Sequence, residues 1–97
     1  MKAVFITYNL ALTEKVEFML DNLNVRGYTK WGEVFGRGSK TGDPHMGTHT
    51  WPEFNSGIIA VVEDDKVPVL LQKIKNLDHI DLNVGIRAFV WDVVDSY

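Results

Sequence analysis

Along the chain, short apolar runs alternate with stretches in which apolar residues recur at helical spacing. The run from Lys2 to Tyr8 is β-branched and aromatic and is closed by Asn9, the pattern of a buried strand. Thr13 can cap a helix whose first turn carries Glu14 and Glu17, and Val16, Met19, Leu20 and Leu23 then fall on one face. Asn24 to Gly27 ends that helix, with Gly27 as the residue able to take the left-handed conformation that a helix terminus often needs. Tyr28 to Phe35 reads as a second strand and Ser56 to Glu63 as a third. Asp64 or Asp65 caps a second helix that tolerates Pro68 in its first turn, and Val67, Leu70, Leu71, Ile74 and Leu77 repeat the apolar stripe. Asp78 to Gly85 is polar and turn-like, and Ile86 to Val94 makes the last strand.

The order strand, helix, strand, long loop, strand, helix, strand predicts an α+β fold, a ferredoxin-like βαββαβ sandwich, as one domain over residues 1–97. Both helices then cover the same face of a four-stranded sheet. The opposite face, with Phe5, Trp31, Phe35, Ile59, Phe89 and Trp91 as candidates to lie on it, needs cover from elsewhere. A homo-oligomer that packs sheets together supplies that cover. Size points the same way, because a chain of 97 residues buries only about 60–65% of its unfolded surface.

Composition narrows the function. An apolar share of 45% with 24% charged residues is globular rather than disordered. A net charge of -3 gives no global field for nucleic acid or anionic lipid. The strands also lack the basic residues that accompany base-stacking aromatics, so no nucleic-acid partner is expected. There is no cysteine, which removes disulfides, thiolate metal sites and cysteine nucleophiles together. Polar residues follow Met1 to Ile6 too soon for a signal-peptide core or a membrane span. A cytoplasmic protein with no direct membrane insertion is therefore the expectation.

The candidate chemistry lies between Gly36 and Asn55, where four glycines, two prolines, three threonines and two histidines replace the apolar periodicity. Loops of this length in small domains are usually functional or disordered. At its start, Gly36, Arg37, Gly38 and Lys40 join glycines that let backbone amides approach an anion to cations that neutralise phosphate. The same G-x-G can equally be a turn or bulge, and no helix N-terminus follows it as a dinucleotide fold requires.

Gly27-Tyr28-Thr29, the strand end Glu33-Val34, Gly36-x-Gly38 and the long loop after them resemble the PII signalling proteins, and nearly the whole chain matches in order of elements. The resemblance implies a ferredoxin-like protomer in a compact homotrimer and nucleotide sites in the clefts between subunits. It also implies a loop after the second strand that touches target proteins. Thr29, Gly36 and Gly38 fall at positions where that family contacts nucleotide. The departures are specific. No tyrosine lies between Gly36 and Asn55, so the tyrosine modification of PII proteins has no substrate there. The family's Gly-Asp-Gly-Lys type loop before the last strand is replaced by Leu82-Asn83-Val84-Gly85-Ile86-Arg87, leaving Gly85 and Arg87 as counterparts. The pair of arginines beyond the last strand is missing. What is implied is a divergent PII-like sensor and regulator that takes a small ligand, a nucleotide among the options, and signals to a partner such as a membrane transporter.

A second constellation, Asp43 to Glu53, holds His45 and His49 four residues apart with a carboxylate at each end. Such N and O donors suit a divalent transition metal, zinc, copper or nickel, in a trimer like the CutA family. Two histidines fall short of a tetrahedral set, so His79, a carboxylate or a neighbouring subunit would have to complete it. Alternatively the histidines fix the loop by hydrogen bonds. No Ser-His-Asp or paired-carboxylate arrangement stands out, so the chain is not read as an enzyme.

Overall fold

Alternation along the first strand sets the two faces of the sheet. In β1 (Lys2–Asn9), Val4, Ile6 and Tyr8 are buried while Phe5 and Thr7 between them are only half-buried. The computed structural model describes residues 1–37, 44–45, 54–80 and 85–97, with residues 44, 45 and 80 placed by backbone alone. After β1 come α1 (Thr13–Asn22), β2 (Tyr28–Val34), β3 (Gly36–Arg37), β4 (Pro44–His45), β5 (Asn55–Val62), α2 (Val67–Ile80) and β6 (Ile86–Asp92). Four strands form one antiparallel sheet in the order β2-β5-β1-β6, and β3 pairs with β4 as a separate two-stranded ribbon. This is the α+β sandwich that the pattern predicts, with β2 and β6 as its edges. The chain beyond Gly36 departs from the simple loop expected there, since it contains this ribbon.

The core lies between the sheet and the helices. Val16, Met19 and Leu20 of α1 and Leu70 and Ile74 of α2 are buried against Val4, Ile6, Ile58, Ala60 and Ile86. Val67, Leu71 and Leu77 pack on its margin, so both predicted stripes face inward. Polar contacts tie the layers together at their edges. Glu17 of α1 accepts from the Lys30 ammonium of β2 at 2.6 Å, and that hydrogen bond raises the lysine above its ordinary pKa. The Lys66 ammonium donates to the carbonyl of Leu23 at 2.6 Å, placing a cation at the negative end of α1. No helix among the described residues is long and apolar enough to cross a membrane.

Two helix boundaries differ from expectation, each for a local reason. β1 runs into α1 through a single 3-10 turn, Leu10–Leu12, so the first free amides lie there rather than at Thr13. Asn9 caps that turn, its Oδ1 accepting from the Ala11 amide at 2.9 Å, while the Thr13 hydroxyl donates backwards to the Leu10 carbonyl at 2.6 Å. The second helix is also entered through a 3-10 turn, Asp64–Lys66, with no side-chain cap, and it extends to Ile80 into the stretch expected to be a turn.

At the C-terminal end of α1, Asn24 rather than Gly27 takes the left-handed conformation, with φ 58°. The Asn24 amide donates to Asp21 at 3.0 Å and the Val25 amide to Leu20 at 2.9 Å, the paired bonds of a Schellman terminus. Val25 and Leu20 are both buried, which adds the apolar contact that accompanies the motif.

Asn24→Gly is expected to leave stability unchanged or raise it, whereas Asn24→Val should lower it by about 1–2 kcal/mol, because a β-branched residue resists positive φ. Leu20→Ala removes a fully buried side chain and should cost about 2–5 kcal/mol. Urea denaturation midpoints check all three.

Candidate ligand site and the uncovered sheet face

Four strand ends meet at one end of the sheet. The Asn9 amide, at the end of β1, donates to the Gly85 carbonyl at 3.0 Å just before β6, and the Leu10 amide donates to Phe54 at 2.9 Å just before β5. Asn9 also pairs with Asn55, and Asn55 pairs with Val34 at the end of β2. β2 reaches this point through a register shift between Trp31 and Val34, and the buried Ser56 hydroxyl donates to the Trp31 carbonyl at 2.8 Å beside it. That bond fixes where the bulge falls and hence where Gly36 begins.

Gly36 lies close against the Asn55 side chain at this junction. A Cβ there would lie 1.9 Å from Nδ2 and 2.8 Å from Cγ of Asn55. Alongside it, the rings of Phe35 and Phe54 stack with centroids 6.0 Å apart and planes inclined by 18°. Phe35 and Phe54 are the residues on either side of the excursion that β3 opens. The excursion therefore leaves the sheet through a narrow neck, with an aromatic stack on one side and a glycine pressed on an amide on the other.

The predicted contacts are distributed around this end unequally. Gly36 and Arg37 form β3, opposite His45 and Pro44 of β4. Gly38, Lys40 and His49 lie outside the described residues, and His45 is placed by its backbone alone. Thr29 is exposed near the start of β2, at the end away from the neck, on the face away from the helices. Gly85 and Arg87 lie at the other edge. The Arg87 guanidinium donates to the Asp78 carboxylate at 3.2 Å and to the Ile86 carbonyl at 2.7 Å, so it already has partners within its own chain. Through the pairings Trp31 to Gly57, Gly57 to Thr7 and Thr7 to Arg87, the two edges are three strand steps apart, about 14 Å. Gly36, against Asn55, and Gly85, bonded to Asn9, lie toward the same end of the sheet, whereas Thr29 stands near the far end of β2. His79 is exposed in the last turn of α2, and among the described residues no three His, Asp or Glu side chains converge as a metal site.

The face without helices carries a feature that the apolar pattern does not reveal. Phe5, Trp31, Val34, Gly57 and Ile59 line an open hollow of about 280 Å³, all of them apolar. Gly57 makes the floor, and a Cβ there would approach the Phe5 ring to 3.4 Å. An isolated glycine inside a strand is the sequence sign of such a site. Around it Trp31, Phe89 and Trp91 remain 47%, 56% and 49% exposed.

Gly36→Ala is expected to turn the Asn55 side chain aside and destabilise the protein by about 1 kcal/mol, the scale of an off-rotamer side chain. Pairing it with Asn55→Gly should recover part of that loss. A double-mutant cycle in urea measures the coupling.

No protein-family model and no curated protein matches the chain. Solved structures do. CPII from Thiomonas intermedia K12, a nitrogen regulatory PII-like protein bound to ADP, AMP and bicarbonate, superposes with a TM-score of 0.71 at 24% identity, over 95% of this chain and 86% of that one. Its ADP and bicarbonate complex gives the same TM-score and coverage at 25% identity. A PII-like signaling protein from Thermus thermophilus superposes with a TM-score of 0.66 at 20% identity, over 95% of this chain and 85% of that one. The element order, the antiparallel sheet with both helices on one face, and the ribbon after β2 thus give this chain the fold of these PII-like proteins.

Proposed function

We propose that the chain is a trimeric PII-like regulator that binds a small ligand in the clefts between subunits and signals to a partner, a transport system being the class implied, through residues 36–55. The observation that carries this reading is the separation of the candidate contacts. Thr29 lies on the edge strand β2, Gly36 and Arg37 in the ribbon that follows it, and Gly85 and Arg87 at the other edge, a spread that suits a site shared between two chains. A closed ring joins unlike edges in this way. The uncovered aromatic face supports the same assembly. The ligands of CPII, ADP, AMP and bicarbonate, supply the first set of compounds to try.

Fewer groups are available to hold phosphate than in the PII proteins that the sequence resembles. Each missing charge-assisted hydrogen bond to phosphate forfeits about 1.5–3 kcal/mol, so the absence of two weakens binding by roughly 100-fold or more. Arg37 remains in β3 as a cation beside Gly36. It is the residue whose removal should reduce affinity for an anionic ligand further.

Light scattering at micromolar concentration is expected to give a trimer mass, and a monomer mass would sink the reading. Calorimetry with ATP, ADP, AMP and bicarbonate should find at least one ligand, with ATP weaker than micromolar and the affinity for any phosphate ligand reduced by about 10-fold or more in Arg37→Gln. A chain that instead gains thermal stability only with zinc or copper is a metal binder. In that case the double substitution His45→Ala and His49→Ala should abolish the gain, and acidification below about pH 6.5 should release the ion as the imidazoles protonate.

A further inference from the structure

Arg87 starts on one face of the sheet and ends on the other. It follows Ile86, which is buried under the helices, so the pleat places the Arg87 stem on the uncovered face. Its partner Asp78 belongs to α2 on the helix side. The guanidinium reaches that carboxylate at 3.2 Å round the edge strand β6 and folds back on the Ile86 carbonyl at 2.7 Å. The backbone beneath the stem is fixed, because Ile86 is buried and the Gly85 carbonyl accepts from the Asn9 amide at 3.0 Å. The head of this side chain is therefore the part that can exchange partners.

The pair is built to be exchanged. Among the described residues it is the longest ion pair, and the Arg87 side chain is 65% exposed against 31% for Lys2 and 35% for Lys30 in theirs. Pairs this exposed contribute little to stability. Asp78 also stands in the last turn of α2, where the backbone carbonyls already present the negative end of the helix, so its carboxylate works against its own helix. Both bonds are made by Nη1. Nη2 with Nε forms the edge that grips an oxyanion through two parallel hydrogen bonds. What the contact withholds is charge, since a carboxylate on the guanidinium offsets the attraction that a second anion would feel.

We infer that Asp78 is an internal competitor for the anionic ligand, holding Arg87 in a folded-back, charge-balanced position from which an oxyanion must displace it. This rests on the ligand reading above and adds its regulation. With Asp78 in place, an approaching anion meets an arginine whose charge is already balanced. Once Asp78 lets go, the fixed stem can return the guanidinium to the uncovered side of β6 with its full charge. The exchange leaves Asp78 unpaired at the end of α2, so occupancy of the site is reported to the helix layer. By linkage, whatever draws Asp78 away raises the affinity for the ligand.

Asp78→Asn separates charge from geometry, because it removes the charge and keeps an oxygen that accepts from Nη1. Calorimetry with ADP on the full chain should show binding about 2–5-fold tighter in Asp78→Asn than in the parent, the span of an exposed ion pair. Circular dichroism should be unchanged, and Asp78→Ser, which also lacks the charge, is the second variant where it is not. In an Arg87→Gln background the same substitution should leave ADP affinity unchanged. A gain that persists without Arg87 is a general charge effect and refutes the competition, as does an Asp78→Asn protein that binds ADP no better than the parent. In both cases the ligand site stands. A parent that binds none of ADP, AMP and bicarbonate overturns the ligand reading instead, and inorganic phosphate then decides the competition. Arg26, Arg37 and Arg87 are the arginines of the chain, so the Arg87 Nε–H resonance is identified by its loss in Arg87→Gln. Under phosphate titration it should respond at a concentration about 2–5-fold lower in Asp78→Asn than in the parent, and equal midpoints refute the inference.

Discussion

Everything in this protein follows from a sheet that is covered on one side only. Helices α1 and α2 both arise from crossovers on the same face, and their stripes meet the alternate positions Val4, Ile6, Ile58, Ala60 and Ile86. The pleat leaves Phe5, Ile59, Phe89, Trp31 and Trp91 pointing the other way. Water tolerates single apolar residues on a surface but not a continuous aromatic field. That face is therefore the feature of the fold to which the proposed assembly answers, and the spread of the candidate contacts across the sheet is a second.

The neck beside Gly36 is set by the same architecture. β1, the central strand, ends in Asn9, whose backbone reaches Gly85 on one side and whose pairing reaches Asn55 on the other. Its side chain simultaneously starts the turn into α1. One residue thus coordinates the entry of β5, the entry of β6 and the beginning of the first helix. The geometry of that end of the sheet is inherited from the core rather than assembled by loops.

Most of this architecture was legible in the sequence because it depends on period. The strands alternate, the helices repeat at i, i+3, i+4 and i+7, and the stripes predicted for α1 and α2 are the ones buried. Boundaries were less legible, because capping is decided by geometry a few residues away. Asn9 displaced Thr13 as the cap since the strand feeds a 3-10 turn, and Asn24 displaced Gly27 since the Schellman bonds fall at Asp21 and Leu20. For the candidate site, loop composition pointed to Gly36 and Arg37, and the resemblance to PII proteins to Gly85 and Arg87. Neither showed that the two pairs lie on different strands' ends, nor that Arg87 is engaged by Asp78, because both depend on strand order and long-range pairing. The hollow was hidden for a similar reason. Gly57 is one glycine among several, and only the register that places Phe5 and Trp31 beside it makes it a floor.

The stacked pair Phe35 and Phe54 has a meaning for how this sequence can change over time. By holding the two roots of the excursion together, it separates the length and content of what lies between from the stability of what lies beneath. Once the ends are fixed, doubling a flexible loop costs only about 0.6 kcal/mol in closure entropy. Changes of length beyond Arg37 and before Phe54 then cost the fold little. A lineage built on this neck can vary what it carries there without renegotiating its core.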